Sequence, residues 1–463
     1  MGAEDAAGSW MDVERVSAKE GSQAGGAASI VLADRRRGAC PTLSRPMQTG
    51  DGLLVRLRPA TPGLSPDEMI ALARAARRHG NGILDITARG NVQIRGLSPD
   101  TVGPLAQAIA EAGIVPVQGL AIETPPLVGY DPTEICNPLP LAAELRSTVE
   151  AALPPLILAP KLSIIVDGGG CLGLGGVVAD IRLMAEVRDE KVLWRLALAG
   201  DARTATVVTL LPADAVVGVV MDLLRQLSAL GPMARGRDLA VALKDEGGAA
   251  VSQRHPAGVH RLGSGRVVLG AALAFGQIEA ESLIAFVEET RALGAVEYRL
   301  APDHALLVLG LTLKDAEAFS DCAARWGLRP DPDDKSHHIA VCAGRGACAS
   351  SMIDTKGTAR QLMAHAPALL DGSLAVHVSG CAKGCAHPAA AALTLAGAPT
   401  GYGLVVNGAA SAVPSVYIGE DKLAPALSHL DALVRNEKHA GESARACLTR
   451  LGATRIIAAV QQE

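Results

Sequence analysis

Aromatic residues make up only 2% of the 463-residue chain: three Trp, four Tyr and three Phe. So few rings cannot build a stacking platform for single-stranded nucleic acid. A formal net charge of −5 likewise speaks against DNA or another polyanion as partner. No uninterrupted apolar run reaches the ~18 residues of a membrane-spanning helix; the most apolar stretch, Val207 to Leu224, is broken by Pro212, Asp214 and Asp222. The N-terminal residues show no charged segment leading into an apolar one, and Ala6 stands where a myristoylation motif beginning at Gly2 has Ser or Thr. The cysteines number nine, odd and without framework spacing, which fits a reducing compartment and a metal centre better than disulfides. The expectation is a cytoplasmic protein with neither nucleic acid nor membrane as partner.

What the chain does have is length and aliphatic mass. With 49% hydrophobic residues, mostly Ala, Val and Leu, it can bury two or more cores built from small and branched side chains. Residues 1–34 are rich in Ala, Gly, Ser and Glu without sustained periodicity and read as a disordered leader. Beyond them the pattern gives strand Leu53 to Leu57 and then a helix to about Arg78, opened by the capping box Ser65-Pro-Asp-Glu68. Strands Gly82 to Thr87 and Asn91 to Arg95 and a helix from Ser98-Pro99 to about Gly113 follow. This β-α-β-β-α order returns between Arg266 and Leu328, an internal repeat too long for a solenoid. Each copy is an open sheet with helices on one face, so pairing the copies would bury both. A mixed α/β stretch follows each copy, with a helix near Pro140 to Leu153, strands Leu162 to Val166 and Ile181 to Val187, and a long helix Asp214 to Leu230 in the first. The polar, glycine-bearing segment Lys244 to Pro256 is the expected linker.

Two cysteine pairs lie near the C-terminus: Cys342-Ala-Gly-Arg-Gly-Ala-Cys348 and Ser379-Gly-Cys381-Ala-Lys-Gly-Cys385-Ala-His387-Pro388. Four thiolates suit a cuboidal iron–sulfur cluster, and small residues between them let backbone N–H groups approach its negative charge. They also suit a tetrahedral zinc ion, although the five-residue gap is wider than a zinc knuckle's.

These two motifs resemble the cysteine motifs of the sulfite and nitrite reductase superfamily. Three further stretches resemble one branch of it, the precorrin-3B synthases: Arg37-Gly-Ala-Cys-Pro41 with Met47-Gln-Thr-Gly-Asp-Gly-Leu-Leu-Val-Arg56, Leu84-Asp-Ile-Thr-Ala-Arg-Gly-Asn-Val-Gln93, and His377-Val-Ser-Gly-Cys381. The likeness covers nearly everything after residue 35. It implies an α+β fold of two pseudo-repeated halves, each a ferredoxin-like βαββα half-domain followed by a mixed α/β domain, here 35–118, 119–245, 257–330 and 331–463. It implies a 4Fe-4S cluster on Cys342, Cys348, Cys381 and Cys385, and it allows a mononuclear non-haem iron. In the reductases the last cysteine also bridges to sirohaem, which the precorrin branch has less reason to carry. The activity implied is an oxygen-dependent monooxygenase of aerobic cobalamin biosynthesis. It would take precorrin-3A and O2 to precorrin-3B by meso-carbon hydroxylation and γ-lactone closure, with electrons from an external NADH-dependent reductase. The alternative is a sirohaem-dependent sulfite or nitrite reductase.

Residues for the substrate follow from the same likeness. Arg89 matches a superfamily arginine at the anion site, and period-2 alternation would place Asp85, Thr87 and Arg89 on one face if their strand ran through the turn. Asp303 holds the corresponding place in the second repeat. Lys161 is retained where the reductases carry two lysines, but Ser163 stands in the second position, and an arginine expected near Glu123-Thr-Pro-Pro-Leu127 is missing. Small oxyanions need several converging cations, so this set argues against sulfite or nitrite. Arg56, Thr87, Arg89, Gln93 and Lys161 are the candidate substrate-binding residues. Arg35, Arg36, Arg37, Arg58, Arg345 and Lys383 are further cations for the acid side chains of a tetrapyrrole. His337, His338, His377 and His387 flank the cysteine motifs as possible imidazole donors. Gly168-Gly-Gly-Cys-Leu-Gly173 matches a dinucleotide-binding glycine pattern but lacks a clear helical start after it, and reads as a loop. Cys40, Cys136, Cys171, Cys322 and Cys447 have no partner spacing and read as ordinary thiols.

Overall fold

The computed structural model describes residues 41–152, 156–240 and 254–462. The expected leader, Arg35, Arg36, Arg37, Cys40 and most of the Lys244 to Pro256 linker lie outside the described residues. The described chain opens with β1 (Met47–Thr49) and β2 (Gly52–Leu57), antiparallel about a turn at Gly50 and Asp51. Next comes α1 (Pro66–His79), whose capping box forms as expected: the Glu68 N–H donates to Ser65 Oγ at 3.3 Å, and the Glu68 carboxylate accepts the Ser65 N–H at 2.7 Å. β3 (Ile83–Ile86), β4 (Val92–Leu97) and α2 (Pro99–Glu111) complete the unit.

The first α/β stretch consists of β5 (Ala121–Glu123), α3 (Leu139–Ala152), β6 (Ser163–Asp167), β7 (Ala179–Arg188), β8 (Lys191–Gly200), β9 (Thr206–Leu211), α4 (Ala213–Leu230) and α5 (Gly236–Ala240). Its strands form one sheet in chain order, with β5, β6 and β7 parallel and β8 and β9 antiparallel. The glycine loop after β6 leads into β7, a strand. No helix N-terminus stands there to meet a phosphate.

The second half repeats the plan. β10 (Gly258–Arg261), β11 (Val267–Leu273), β12 (Gln277–Glu279), α6 (Ala280–Leu293), β13 (Glu297–Ala301), β14 (Ala305–Leu309), α7 (Ala316–Arg325) and β15 (Leu328–Arg329) form the ferredoxin-like copy. β16 (Ile339–Val341), α8 (Thr355–His365), β17 (Val376–Ser379), β18 (Ala391–Ala398), β19 (Gly401–Gly408), β20 (Val416–Ile418), α9 (Leu423–Glu437) and α10 (Ala444–Val460) form the second α/β stretch. Its sheet again runs in chain order, parallel through β18 and antiparallel beyond.

The two copies exchange edges. β12, just before α6, pairs with β3 of the first copy (Ile278 opposite Leu84), while Leu64, just before α1, exchanges two backbone hydrogen bonds of 2.8 Å with Tyr298 on β13. This reciprocity covers one edge of each sheet and sets α1 against α6, so side chains such as Leu72, Ala76, Phe286 and Tyr298 share one continuous core.

Alternation then decides what the other sheet face presents. Val55, Leu57, Leu84, Ile86, Val92 and Ile94 point into the helical core and are nearly fully buried. Arg56, Asp85, Gln93 and Arg95, between them in sequence, occupy the opposite face.

Candidate active site

β16 and β17 are parallel neighbours, so the residues leaving their C-terminal ends are set side by side. Cys342 follows β16 and Gly380 follows β17. The Gly380 N–H donates to Cys342 Sγ at 3.0 Å, and the Gly380 carbonyl accepts the Met352 N–H at 2.8 Å. Thr355 Oγ1, in the first turn of α8, donates to the Cys342 carbonyl at 2.8 Å. Lys383 Nζ donates to Ser350 Oγ at 2.9 Å, tying the second cysteine loop to the first. Cys385 has an exposed side, yet burial, followed by the charges of Cys342, Cys381 and Cys348, pushes its thiol pKa up. All four thiols therefore share one electrostatic neighbourhood. Among the described residues no three His, Cys, Asp or Glu side chains converge as the ligands of a single metal ion must.

The polar face of the first sheet carries a row of side chains in register across four strands: Arg56, Gln93, Asp85 and Gln277. Arg56 donates to Gln93 Oε1 through Nε at 3.2 Å and Nη2 at 2.7 Å, and Gln93 Nε2 donates to Asp85 Oδ2 at 3.1 Å. Asp85 Oδ1 and Gln277 Oε1 are buried and, among the described residues, have no hydrogen-bond partner. Burial pushes the Asp85 carboxyl pKa up, and it depresses the Lys356 ammonium despite the opposing charges of Asp85 and Glu279. Arg95, two residues beyond Gln93, pairs with Asp51 from the β1–β2 turn. That turn touches the cysteine loop directly: the Gly50 carbonyl accepts the Ala349 N–H at 3.0 Å, and a Cβ at Gly50 would lie 2.6 Å from Cys348 Sγ.

Thr87 and Arg89 lie beyond the end of β3, in the turn before β4, so the alternation from Asp85 stops at Ile86 and does not reach them. Thr87 Oγ1 shapes the turn by accepting the N–H groups of Arg89 (3.3 Å) and Asn91 (3.1 Å). The Arg89 guanidinium is tied to Glu123 through Nε at 3.2 Å and Nη2 at 2.5 Å, and to the Val178 carbonyl at 2.6 Å. Glu123, 3% exposed, also receives Arg58 at 3.2 Å. The segment where an arginine was expected thus supplies a buried carboxylate. Arg58 and Arg89 line a cavity of about 200 Å³ with Arg146, whose Nη1 is buried and unpartnered. Asp303 occupies the equivalent turn of the second copy, and the two turns meet where its N–H donates to the Ala88 carbonyl at 3.1 Å. Lys161 is exposed in the turn before β6 and, among the described residues, has no hydrogen bond or ion pair to the other candidates. The structure joins Arg56 to Gln93 and sets Thr87 beside Arg89. Asp51, Asp85, Arg95 and Glu123 were not singled out as site residues by sequence. Strand alternation had placed Asp85 on a face with Thr87 and Arg89, and Glu123 lay in the segment where an arginine was expected.

Residues 45–112 match the family model described as the nitrite/sulfite reductase ferredoxin-like half domain. A Precorrin-3B synthase from Sinorhizobium sp is 51% identical over 440 residues, covering 93% of this chain and 96% of that protein. The chain belongs to the precorrin-3B synthase family. More distant within the superfamily, a ferredoxin–nitrite reductase from Synechococcus elongatus is 24% identical over 402 residues, 76% of this chain and 78% of its own length. The solved structure of Mycobacterium tuberculosis NirA superposes with a TM-score of 0.64 over 87% of this chain and 84% of that one at 17% identity, a likeness of fold.

For a precorrin-3B synthase family member the remaining donors sort as follows. His377, fully buried on β17, has no partner at either ring nitrogen, and its pKa falls to about 4 through burial and then the neighbouring His387, whose ring lies 5.7 Å away. His337 instead hydrogen-bonds the Asp331 carbonyl through Nε2 at 2.8 Å. Cys322 and Cys447 are buried and Cys136 and Cys171 half-buried; burial pushes the thiols of Cys171 and Cys322 up to about 12.

Proposed function

We propose that this chain is a cytoplasmic monooxygenase that converts precorrin-3A to precorrin-3B. One atom of O2 enters the macrocycle at its methylated meso carbon, the ring-A acetate closes to a γ-lactone, and the other atom leaves as water. Two electrons, drawn from NADH through a separate reductase, and two protons balance the reaction. The observation that carries the reading is 51% identity to a named Precorrin-3B synthase over almost the whole of both chains. No helix among the described residues is long and apolar enough to cross a membrane, in keeping with a soluble substrate.

The cysteine set fits a 4Fe-4S cluster: four thiols in one neighbourhood, one of them already accepting a backbone N–H, and small residues between them. Cys342, Cys348, Cys381 and Cys385 would hold it, and bound there it would supply electrons singly. The chain's own residues do the rest. Arg56 and Gln93, fixed to one another on the open sheet face, present N–H groups toward carboxylate side chains of a tetrapyrrole. Arg89 and Arg58 share the single Glu123 carboxylate, so both guanidiniums are held in place while one positive charge of the pair stays unmatched for an acid side chain of the macrocycle. Asp85, its carboxyl pushed up by burial, stands beside that face and accepts the Gln93 amide. His377 is an unsatisfied imidazole available to a non-haem iron or to ordered water.

The test is anaerobic purification with iron and sulfide counts, then incubation with precorrin-3A, labelled O2 and a reductase system. The expected product carries one labelled oxygen atom, from a protein with a broad cluster absorbance and no sharp haem bands. Sharp haem bands with sulfite or nitrite turnover would replace the reading with a sirohaem reductase.

A further inference from the structure

We propose that Arg95, gripped by Asp51, is the buried cation that tunes the reduction potential of the cysteine-ligated cluster; this rests on the cluster assignment made above. A charged residue near the end of a strand is normally solvated, but the Arg95 side chain is only 13% exposed and that of Asp51 only 7%. The pair is bidentate, Nε to Oδ2 and Nη2 to Oδ1, both 2.9 Å, and Nη1 lies 3.5 Å from Asp85 Oδ2. Such a fork fixes the position of the charge as well as its sign.

Its position is keyed to the thiols. Gly50 precedes Asp51 and lies so close to Cys348 that no side chain fits between them, and its carbonyl holds the N–H of Ala349. A glycine is required there by contact with sulfur, and the next residue holds the guanidinium. Of the other cations around the loops, Arg345 and Lys383 are exposed, so water and salt screen them; Lys356 at the start of α8 is half-buried, but it is a flexible single charge and, among the described residues, has no carboxylate fork to fix it. Arg95 and Cys348 act on one another electrostatically, as do Arg95 and Cys385.

A one-electron reduction adds a negative charge to the cluster. A desolvated cation nearby favours the reduced form, and a desolvated carboxylate favours the oxidised one. Arg95 sits between Asp51 and Asp85, so Arg95→Gln strands the Asp51 carboxylate and removes the cation from Asp85, while Asp51→Asn leaves Arg95 with only its 3.5 Å contact to Asp85 and shifts the local charge the other way.

The experiment is a redox titration of the anaerobically purified protein with dithionite and mediator dyes, followed by electron paramagnetic resonance, with iron and sulfide counted on every preparation. The expected result is opposite shifts. At fixed potential the reduced-to-oxidised ratio falls about tenfold in Arg95→Gln, 59 mV for a one-electron couple, and rises in Asp51→Asn, with Arg95→Lys near wild type. The midpoint does not depend on occupancy, so a variant that loads its cluster only partly is still read, and Arg95→Lys with Asp51→Asn decides the matter if Arg95→Gln loses it altogether. Shifts of the same sign, or none, with the cluster present overturn the proposal while leaving the cluster assignment intact. Absence of iron and sulfide from the wild-type protein overturns both.

Discussion

Replacing Glu123 by Gln removes one charge and almost no volume from a position that is 3% exposed. The carboxylate receives Arg89 at 3.2 and 2.5 Å and Arg58 at 3.2 Å. In the variant two guanidiniums face a neutral amide that can accept but no longer neutralises them. Breaking a fully buried pair costs about 3–5 kcal/mol. Here the Arg58 and Arg89 side chains are 23% and 32% exposed, so water takes up part of the charge and the expected loss is about 2–3 kcal/mol. Arg89→Gln should cost less, about 1 kcal/mol, because Arg58 still satisfies Glu123 and the lost side chain is the most exposed of the three. Equilibrium urea unfolding followed by the fluorescence of Trp194, buried on β8 of the sheet that holds Glu123, measures both. The reasoning is refuted if Glu123→Gln costs less than about 1 kcal/mol, or if Arg89→Gln is the more damaging change.

Three further outcomes are expected. Gly50→Ala places a Cβ 2.6 Å from Cys348 Sγ and 3.0 Å from the Ser350 nitrogen, so it should lower the iron and sulfide bound per chain after anaerobic reconstitution, while unaltered loading would show that the turn yields easily. His255 accepts the Ala257 N–H at Nδ1 and stacks on His337. Burial first, then His337, His338, His260 and His304, lower its pKa from 6.5 to about 4. The folded protein thus resists a proton that the unfolded chain accepts: this contribution is fully present above pH 6.5 and is lost as pH falls toward about 4, roughly 3 kcal/mol in all. His255→Asn should flatten the urea midpoint over that window, and an unchanged slope would contradict the assignment. Ser65→Ala, which dismantles the capping box of α1, should cost about 1 kcal/mol in the same unfolding assay.

Much of the backbone was legible because its signals are local. The capping box at Ser65, the apolar periods of α4 and α6, and the two copies of β-α-β-β-α can each be read within a dozen or so neighbouring residues. Strands β8 and β9 escaped because Lys191 to Leu211 mixes buried and exposed positions without strict alternation, and only pairing with β7 makes them strands.

The cysteine spacing likewise belongs to the sequence by itself: Cys342, Cys348, Cys381 and Cys385 are spaced as a metal centre would need, and their flanking residues carry the resemblance to the superfamily. The partners of the site do not lie near one another in the chain, and only tertiary structure could assemble them. Gly50 meets Cys348 and Arg89 meets Glu123 across long stretches of sequence. Gln277 joins the row of Arg56, Gln93 and Asp85 because the repeats exchange edge strands. Lys161, a candidate by likeness, makes no hydrogen bond to that row among the described residues. A motif records which chemistry a chain can do, whereas the charge and access of a site come from which distant residues the fold packs together, and no local pattern encodes that.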